Sequence, residues 1–265
     1  MKFRFQRKLL AIPYLLFLGL FVVLPIFFVA YYAFTDSSGN FTLLALTNFF
    51  TSTNKLNVLL TSLTFSFINT VICLVIGYPI AYILSNKSYN KNGVIIILFI
   101  MPMWINFVLR TWATRDVLNW IGLGGGNNPY VATTIGLVYN FLPFVIMPLY
   151  NVMLKLDKSQ IEAARDLGCN RVQTFTKSIF PQSIPGVVSA AMMVFMPTMS
   201  SYVISDVLSE GKIILFGNSI YLSFTNNLWN VGSFISLIML VLVGVSMLLS
   251  RNYTEKVKEE GHSKW

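Results

Sequence analysis

The sequence predicts an all-α polytopic membrane protein, and three observations carry that prediction. Only 11% of the 265 residues are charged, whereas a soluble domain carries about 25%. Mean hydropathy is +0.67, and aromatic residues make up 15% of the chain. Six apolar stretches are each long enough to cross a bilayer core, which takes about 20 helical residues. This composition excludes a disordered chain, a collagen-like fibre and an ordinary cytosolic enzyme.

The six predicted spans form a single transmembrane domain over residues 1–265. They cover residues 9–34, 58–85, 94–112, 131–154, 184–208 and 230–250. The first apolar run is too long for a cleavable signal peptide, and no small-x-small cleavage site follows it. Pro13 and Pro25 lie inside this span and are expected to bend it.

The later spans also contain prolines and buried polar groups, which inert membrane anchors lack. The prolines are Pro79, Pro102, Pro143, Pro148 and Pro197, and the amides are Asn69, Asn106 and Asn140. Polar side chains in hydrocarbon usually face a helix bundle or a wet cavity. Each amide alone favours simple hydrogen bonding between helices. Together, the kinks and amides favour a conducting or moving bundle.

Lysine and arginine are unevenly distributed between the two sides of the predicted membrane domain. With the N-terminus inside, 15 of the 19 lie in cytoplasmic segments, and the outside keeps Lys55, Arg110, Arg115 and Lys212. Cytoplasmic loops of membrane proteins carry such an excess. The sequence therefore predicts that both termini are cytoplasmic. This topology accounts for the net charge of +9 without a nucleic-acid partner.

Several kinds of catalytic site are excluded by the residue inventory. The single histidine is His262, and the two cysteines, Cys73 and Cys169, are expected to be free thiols. A phosphate-binding loop needs Gly-Lys followed by Ser or Thr, but Ile213 follows Gly211-Lys212. The chain is therefore expected to bind no cofactor and to hydrolyse nothing by itself. Uphill transport would need a separate ATPase.

The loop between the fourth and fifth spans, residues 155–183, contains the most informative motif. Ser159 and Glu162 have the spacing of a capping box, which predicts that a helix begins near Gln160. Gly168 stands where a left-handed residue would end that helix. The sequence therefore predicts a short helix that stops at a glycine.

A second short helix is expected to follow the glycine. Val172, Phe175 and Ile179 recur at helical spacing, Pro181 is expected to end the helix, and Pro185 to open the next span. Such helices must bury a small apolar face. Periodicity alone leaves two alternatives, namely the chain's own membrane domain or lipid interface and a groove on a cytosolic partner.

The loop contains Glu162-Ala163-Ala164, with Gly168 six residues after the glutamate and Pro181 thirteen residues after the glycine. This pattern resembles the EAA loop of ATP-binding-cassette (ABC) importer permeases of type I. In that family the first loop helix docks into the ATPase subunit. The resemblance assigns the coupling role to Glu162, Ala163, Ala164, Arg165, Asp166 and Gly168. It also implies six transmembrane helices in the bacterial cytoplasmic membrane. The implied partners are two ATPase subunits that hold ATP and Mg, a second homologous permease subunit, an extracytoplasmic binding protein and membrane lipid.

Two further motifs narrow the resemblance to a subfamily. Arg110-Thr111-Trp112-Ala113 and Gly217-Asn218-Ser219-Ile220-Tyr221 are similar to segments of the spermidine/putrescine permeases, and Asp166-Leu167 also fits them. This resemblance implies that the cargo is a polyamine and that the binding protein is a polyamine-binding protein.

A polyamine would need carboxylates or aromatic faces along its route, because it is a flexible polycation. The candidate pathway residues are Asp206, Tyr202, Trp104, Trp112 and Tyr221. Asp206 is also compatible with an ordinary interfacial carboxylate paired with Lys212, and the aromatic residues with an interfacial belt. Arg110 is expected to be structural, with hydrogen bonds to carbonyls or to Asp116.

Three alternatives stay open at this point. The same kind of importer could carry another solute, such as an organic cation, a phosphonate or a metal complex. A passive channel or an ion-driven transporter is a different class. A membrane anchor for a cytosolic enzyme is a third, and the kinked, amide-bearing spans disfavour it.

Overall fold

The computed structural model describes residues 11–36, 39–86, 90 and 93–262, and within them the chain is almost entirely helical. One isolated bridge joins Thr35 and Phe41. The helices are α1 (Ile12–Ala33), α2 (Leu44–Thr51), α3 (Thr53–Ser85), α4 (Val94–Trp104), α5 (Phe107–Trp120), α6 (Pro129–Met153), α7 (Lys158–Asp166), α8 (Arg171–Ser200), α9 (Val203–Ser209), α10 (Phe216–Thr225) and α11 (Trp229–His262). The predicted all-α class is confirmed.

Five of these helices are long and apolar enough to cross a membrane by themselves, namely α1, α3, α6, α8 and the Trp229–Arg251 part of α11. The third predicted span, residues 94–112, was expected to be one helix. It is a pair, α4 and α5, which meet at a bend of 94° and extend to Trp120. The bend follows a 3₁₀ turn over Met101–Trp104 that contains Pro102, and proline cannot continue the α-helical hydrogen bonding.

The fifth predicted span also needs correction. The short second loop helix and the span are one continuous helix, α8, so Pro181 does not end a helix. At the other end, the span stops at Ser200 rather than at residue 208. Residues 201 and 202 interrupt the helix, and α9 follows as a separate element.

A widened turn explains how the chain continues through two of its prolines. A π-helical segment covers Gly19–Val23, and another covers Phe175–Ile179. Pro25 and Pro181 each lie two residues beyond one of these segments. A proline offers no N–H and crowds the carbonyl four residues earlier. Bonding to the fifth preceding residue widens the turn and relieves that conflict.

The predicted orientation stays a prediction. Seven of the cytoplasmic basic residues on which it rests lie outside the described residues, and they are Lys2, Arg4, Arg7, Lys8, Lys87, Lys91 and Lys264.

The described residues fall into two compact units. The first consists of ranges 1–57 and 219–242. Its aromatic core forms around Phe234, whose ring centroid lies 5.9 Å from that of Phe49 and 6.4 Å from that of Phe34. The side-chain amide of Asn230 donates to the Thr35 carbonyl. This bond satisfies a carbonyl just beyond the end of α1.

The second unit consists of ranges 58–218 and 243–265. Within it, α6 packs against α8 and α9. The fully buried side chains include Leu137, Val145 and Leu149 on α6 and Val194 on α8. A Cβ added at Gly186 of α8 would lie 2.9 Å from Cγ2 of Val152 on α6. Close approach at small residues is how membrane helices pack, because lipid provides little hydrophobic driving force between them.

Candidate functional site

The loop between α6 and α8 contains α7, whose start is fixed by Asp157. An Asp157 carboxylate oxygen accepts hydrogen bonds from the Ser159 backbone N–H at 2.9 Å and from the Ser159 hydroxyl at 2.7 Å. The predicted capping box starting at Ser159 is therefore wrong. Asp157 is the N-cap, and the carboxylate of an aspartate satisfies a free N–H of the first turn.

The end of α7 confirms the prediction for Gly168, which has φ +81°. The Gly168 N–H donates to the Arg165 carbonyl at 2.9 Å, and the Cys169 N–H donates to the Ala164 carbonyl at 3.1 Å. These two bonds form a Schellman motif. A Cβ at position 168 would meet no atom within 4 Å. Glycine is needed here for its backbone conformation rather than for space.

A capping box absent from the predictions opens α8. The Asn170 side-chain oxygen accepts from the Gln173 N–H at 2.8 Å, and the Gln173 side-chain oxygen accepts from the Asn170 N–H at 3.0 Å. The sequence contains the pattern that predicts this capping box, because Asn170 and Gln173 stand three residues apart at the start of an apolar stripe. Helix α7, the turn at Gly168 and the start of α8 together form a two-helix elbow, residues 157–180.

The elbow is connected to two membrane-spanning helices. The Gln182 side-chain oxygen of α8 accepts from the Asp157 N–H at 2.9 Å. The Phe175 ring lies 5.7 Å from the Tyr78 ring and 6.3 Å from the Tyr82 ring, centroid to centroid, and both tyrosines belong to α3. The Tyr78 hydroxyl also lies 2.8 Å from the Ser183 hydroxyl. Displacement of the elbow would therefore be transmitted to α3 and α8.

The predicted coupling residues lie mainly on the outer surface of the elbow. Glu162, Ala163, Arg165, Asp166 and Gly168 are exposed, and Ala164 is half-buried. Beside them, Leu167 is 85% exposed and Val172 is 70% exposed. Of the predicted apolar stripe, Ile179 is buried and Phe175 half-buried. The elbow thus presents charged and apolar side chains that the described part of the chain does not cover. Their coupling role stays a prediction.

Hydrogen bonds from the Ser159 hydroxyl and backbone N–H lower the pKa of the Asp157 carboxyl. Because the pKa is depressed in the folded elbow, the stabilisation by the cap is present above the ordinary aspartate pKa and is lost as the pH falls through the lowered value. We compare amide hydrogen exchange in the first turn of α7 between the wild type and Asp157→Asn, whose neutral side chain accepts at every pH. As the pH falls, we expect the ratio of the wild-type exchange rate to the variant's rate to rise. Equal exchange in the two proteins down to the lowest pH would contradict this role.

The structure brings together two of the five predicted pathway residues. Trp104 and Tyr202 line a cavity of about 500 Å³ in the second unit. Trp112 and Asp206 do not line this cavity, and Tyr221 belongs to the first unit. Asp206 is exposed. The role of these five residues in the substrate pathway therefore stays a prediction.

The cations near these residues have partners other than Asp206. The Lys212 ammonium donates to the Gly126 carbonyl, and the described residues show no ion pair between Lys212 and Asp206. An Arg115 guanidinium nitrogen lies 3.6 Å from a Glu210 carboxylate oxygen, and the guanidinium lies 5.0 Å from the centroid of the Trp112 ring.

Arg110 braces the bend between α4 and α5. It is 7% exposed, and it donates from Nε to the Asn140 side-chain oxygen at 2.9 Å and from Nη1 to the Pro102 carbonyl at 2.8 Å. The structural role expected for Arg110 is confirmed, with carbonyl acceptors rather than Asp116. Buried backbone groups freed by a helix break need such partners.

The other two amides also make structural hydrogen bonds. Asn106 is the N-cap of α5, and its side-chain oxygen accepts from the Val108 N–H at 2.8 Å. The Asn69 amide of α3 donates to the Thr198 hydroxyl of α8 at 2.7 Å. Helix capping and helix–helix hydrogen bonding therefore account for the amides that the sequence analysis singled out.

Five helices that are long and apolar enough to cross a membrane, a bent pair of helices and an elbow tied to α3 and α8 define a polytopic membrane protein. The family of binding-protein-dependent transport system inner membrane components matches residues 92–258. The chain is 36% identical to the spermidine/putrescine transport system permease protein PotB of Escherichia coli (strain K12), over 77% of this chain and 81% of that protein. It is 34% identical to PotB of Haemophilus influenzae, over 91% of each.

Solved structures share the fold at low sequence identity. A bacterial alginate ABC transporter, crystallised with an alginate pentasaccharide-bound periplasmic protein, superposes with a TM-score of 0.72 at 13% identity and covers 94% of each chain. The MetNI methionine ABC transporter gives a TM-score of 0.57 at 19% identity, with 78% of this chain and 99% of that chain covered. The chain belongs to the family of binding-protein-dependent inner-membrane transport components, and its fold is that of an ABC importer permease.

Proposed function

We propose that this chain is one permease subunit of an ATP-driven polyamine importer and that its elbow couples the permease to a separate ATPase. The observation that carries the proposal is the exposed elbow, which is tied to α3 and α8 but leaves Glu162, Ala163 and Leu167 uncovered. An exposed short helix with one apolar side suits a groove on a partner protein.

Two contacts suggest how the coupling works. When the ATPase subunits close, they would move α7. The bond between Asp157 and Gln182 would pass that motion to α8, and the packing of Phe175 on Tyr78 would pass it to α3. Rigid helices move as units, so a displacement at the elbow becomes a tilt of the spans around the pathway.

The assembly implied by this role has several partners. Two ATPase subunits would hold ATP and Mg and would supply all the hydrolytic chemistry. A second homologous permease subunit would complete the pathway, and an extracytoplasmic polyamine-binding protein would deliver the cargo. Both termini and the elbow would then be cytoplasmic, and lipid would cover α1, whose most apolar window has no residue buried inside the chain.

Two observations support a polyamine as the cargo. The relatives at 34–36% identity are named as spermidine/putrescine permeases. In this chain, Trp104 and Tyr202 expose aromatic surface in one cavity, and aromatic faces attract ammonium groups. Asp206, Trp112 and Tyr221 are further candidates for contacts along the route.

The test is uptake of labelled spermidine into vesicles that contain the full importer, with ATP inside. We expect excess unlabelled spermidine or putrescine to reduce the labelled uptake at least tenfold, and a phosphonate, a simple organic cation or a metal complex to leave it unchanged. We also expect uptake to stop when ATP is depleted. Uptake that continues without ATP while an ion gradient is maintained would favour an ion-driven transporter, and no flux at all would favour an anchor.

A further inference from the structure

The cavity that contains Trp104 and Tyr202 forms where two interrupted helices meet. One group of lining residues, 103–107, spans the bend between α4 and α5, and another, 200–204, spans the break between α8 and α9. Irregular backbone at membrane depth is tolerated where it is buried in protein or lines a cavity. The two breaks thus form a cavity whose lining is mainly apolar but includes the polar side chains of Asn106, Arg110 and Asn140.

This cavity contains one fixed positive charge. Among the described residues that line it there is Arg110 but no aspartate or glutamate. An arginine is always protonated in a protein. The hydrogen bonds to Asn140 and Pro102, together with the Tyr139 ring 5.4 Å from the guanidinium carbon, hold this group in place.

Arg110 also lines a second cavity of about 680 Å³, whose other walls are mainly apolar and include Leu109, Val117 and Ile135. Arg110 and Ile105 belong to both linings. Shortening Arg110 would therefore change the shape of both cavities as well as the charge. The test therefore has to change the net charge of the cavity while Arg110 itself stays in place.

We propose that Arg110 determines how weakly the cavity between the two helix breaks holds a cationic cargo, so that a polyamine passes through and is released. This inference rests on the proposed function, because it takes a polyamine as cargo. A second unit charge about 6 Å away, at an effective dielectric constant of about 20, would be disfavoured by a factor of about 100. Conduction requires binding that is weak enough for the cargo to leave.

The first test is Asn140→Asp, which places a carboxylate next to Arg110 at an almost unchanged shape. The new oxygen can accept the same Nε–H bond, and the net charge of the cavity falls by one. We expect the purified importer, without its binding protein, to bind radiolabelled spermidine at least tenfold more tightly. In the full importer we expect both kcat and KM for uptake to fall, since the cargo leaves slowly.

The matched control is Asn119→Asp. It makes the same change of charge at an exposed amide on α5, outside the lining of either cavity. We expect spermidine affinity to stay at the wild-type value. Equal tightening by both variants would overturn the proposal, because it would reflect a general gain of negative charge.

A second pair of variants keeps the test valid if Asn140→Asp does not fold, since Asn140 also donates to the Gly136 carbonyl at 2.9 Å. Ser201 lines the cavity at the break after α8 and is partly exposed. We expect Ser201→Asp to bind spermidine at least tenfold more tightly than Ser201→Asn, which has nearly the same shape without the charge. If the wild-type importer takes up spermidine but neither Asn140→Asp nor Ser201→Asp binds it more tightly, the proposal is wrong. If the wild type takes up no spermidine, the proposed function itself fails.

Discussion

Replacing Gly168 with valine is expected to reduce ATP-driven uptake at least tenfold while the chain still inserts into the membrane. Gly168 has φ +81°, a conformation that costs a residue with a Cβ about 1–2 kcal/mol. Relaxing this strain would break the bonds to Arg165 and Ala164 that end α7. The direction of α7 relative to α8 would change, and the exposed coupling residues would no longer meet the ATPase in one fixed geometry.

Gly122→Val provides a matched control. Gly122 has φ +79°, a Cβ there would also meet no atom within 4 Å, and both glycines are exposed. The two variants therefore carry the same backbone strain, but Gly122 lies beyond the end of α5 rather than in the elbow. The measurements are uptake and co-purification of the ATPase at matched protein levels. A coupling role for Gly168 is disproved if its variant behaves like wild type, or if both variants lose uptake equally.

Gly217→Ala is expected to have the largest effect on stability, about 3 kcal/mol, at the upper end for overpacking in a packed interior. A Cβ at this position would overlap the carbonyl oxygen of Ser200 and would lie 2.6 Å from its carbonyl carbon. Gly217 is buried. The obstacle is backbone at the end of α8, which cannot rotate away as a side chain would. The expected result is a lower unfolding temperature in detergent and a lower yield of monodisperse protein.

Gly244→Ala is the matched substitution for this experiment. Gly244 lies inside α11, and a Cβ there would meet no atom within 4 Å. Alanine in a helix interior is favoured over glycine by about 0.5–1 kcal/mol, so this variant should be as stable as wild type or more so. The packing explanation for Gly217 fails if the two alanine variants unfold at the same temperature.

The sequence alone was enough to predict the membrane class, the approximate position of each span and the end of α7 at Gly168. Each of these depends on local information. An apolar run of sufficient length predicts a span wherever its neighbours lie, and a glycine after good helix formers predicts a left-handed end whatever packs around it. The family motif also lies within one loop, so no long-range contact was needed to recognise it.

Two of the predictions that failed were ones in which two local signals competed. Proline usually ends a helix, yet α8 continues through Pro181 because the π segment just before it relieves the clash. Ser159 fits a capping box, yet Asp157 takes the N-cap and accepts from Ser159. In each case a residue a few positions away offered a better hydrogen-bonding arrangement.

Only the tertiary structure decided what the polar and small residues of the spans do. The sequence placed Arg110 and Asn140 thirty residues apart, and the 94° bend after α4 brings them into one cavity wall. Gly217, noticed as part of a subfamily motif, proves to be the point where α10 meets the backbone at the end of α8. The physical reason is that all apolar spans look alike in a sequence pattern. Helix breaks depend on which neighbour supplies the missing hydrogen bonds, and close contacts depend on which neighbour leaves room for the approach.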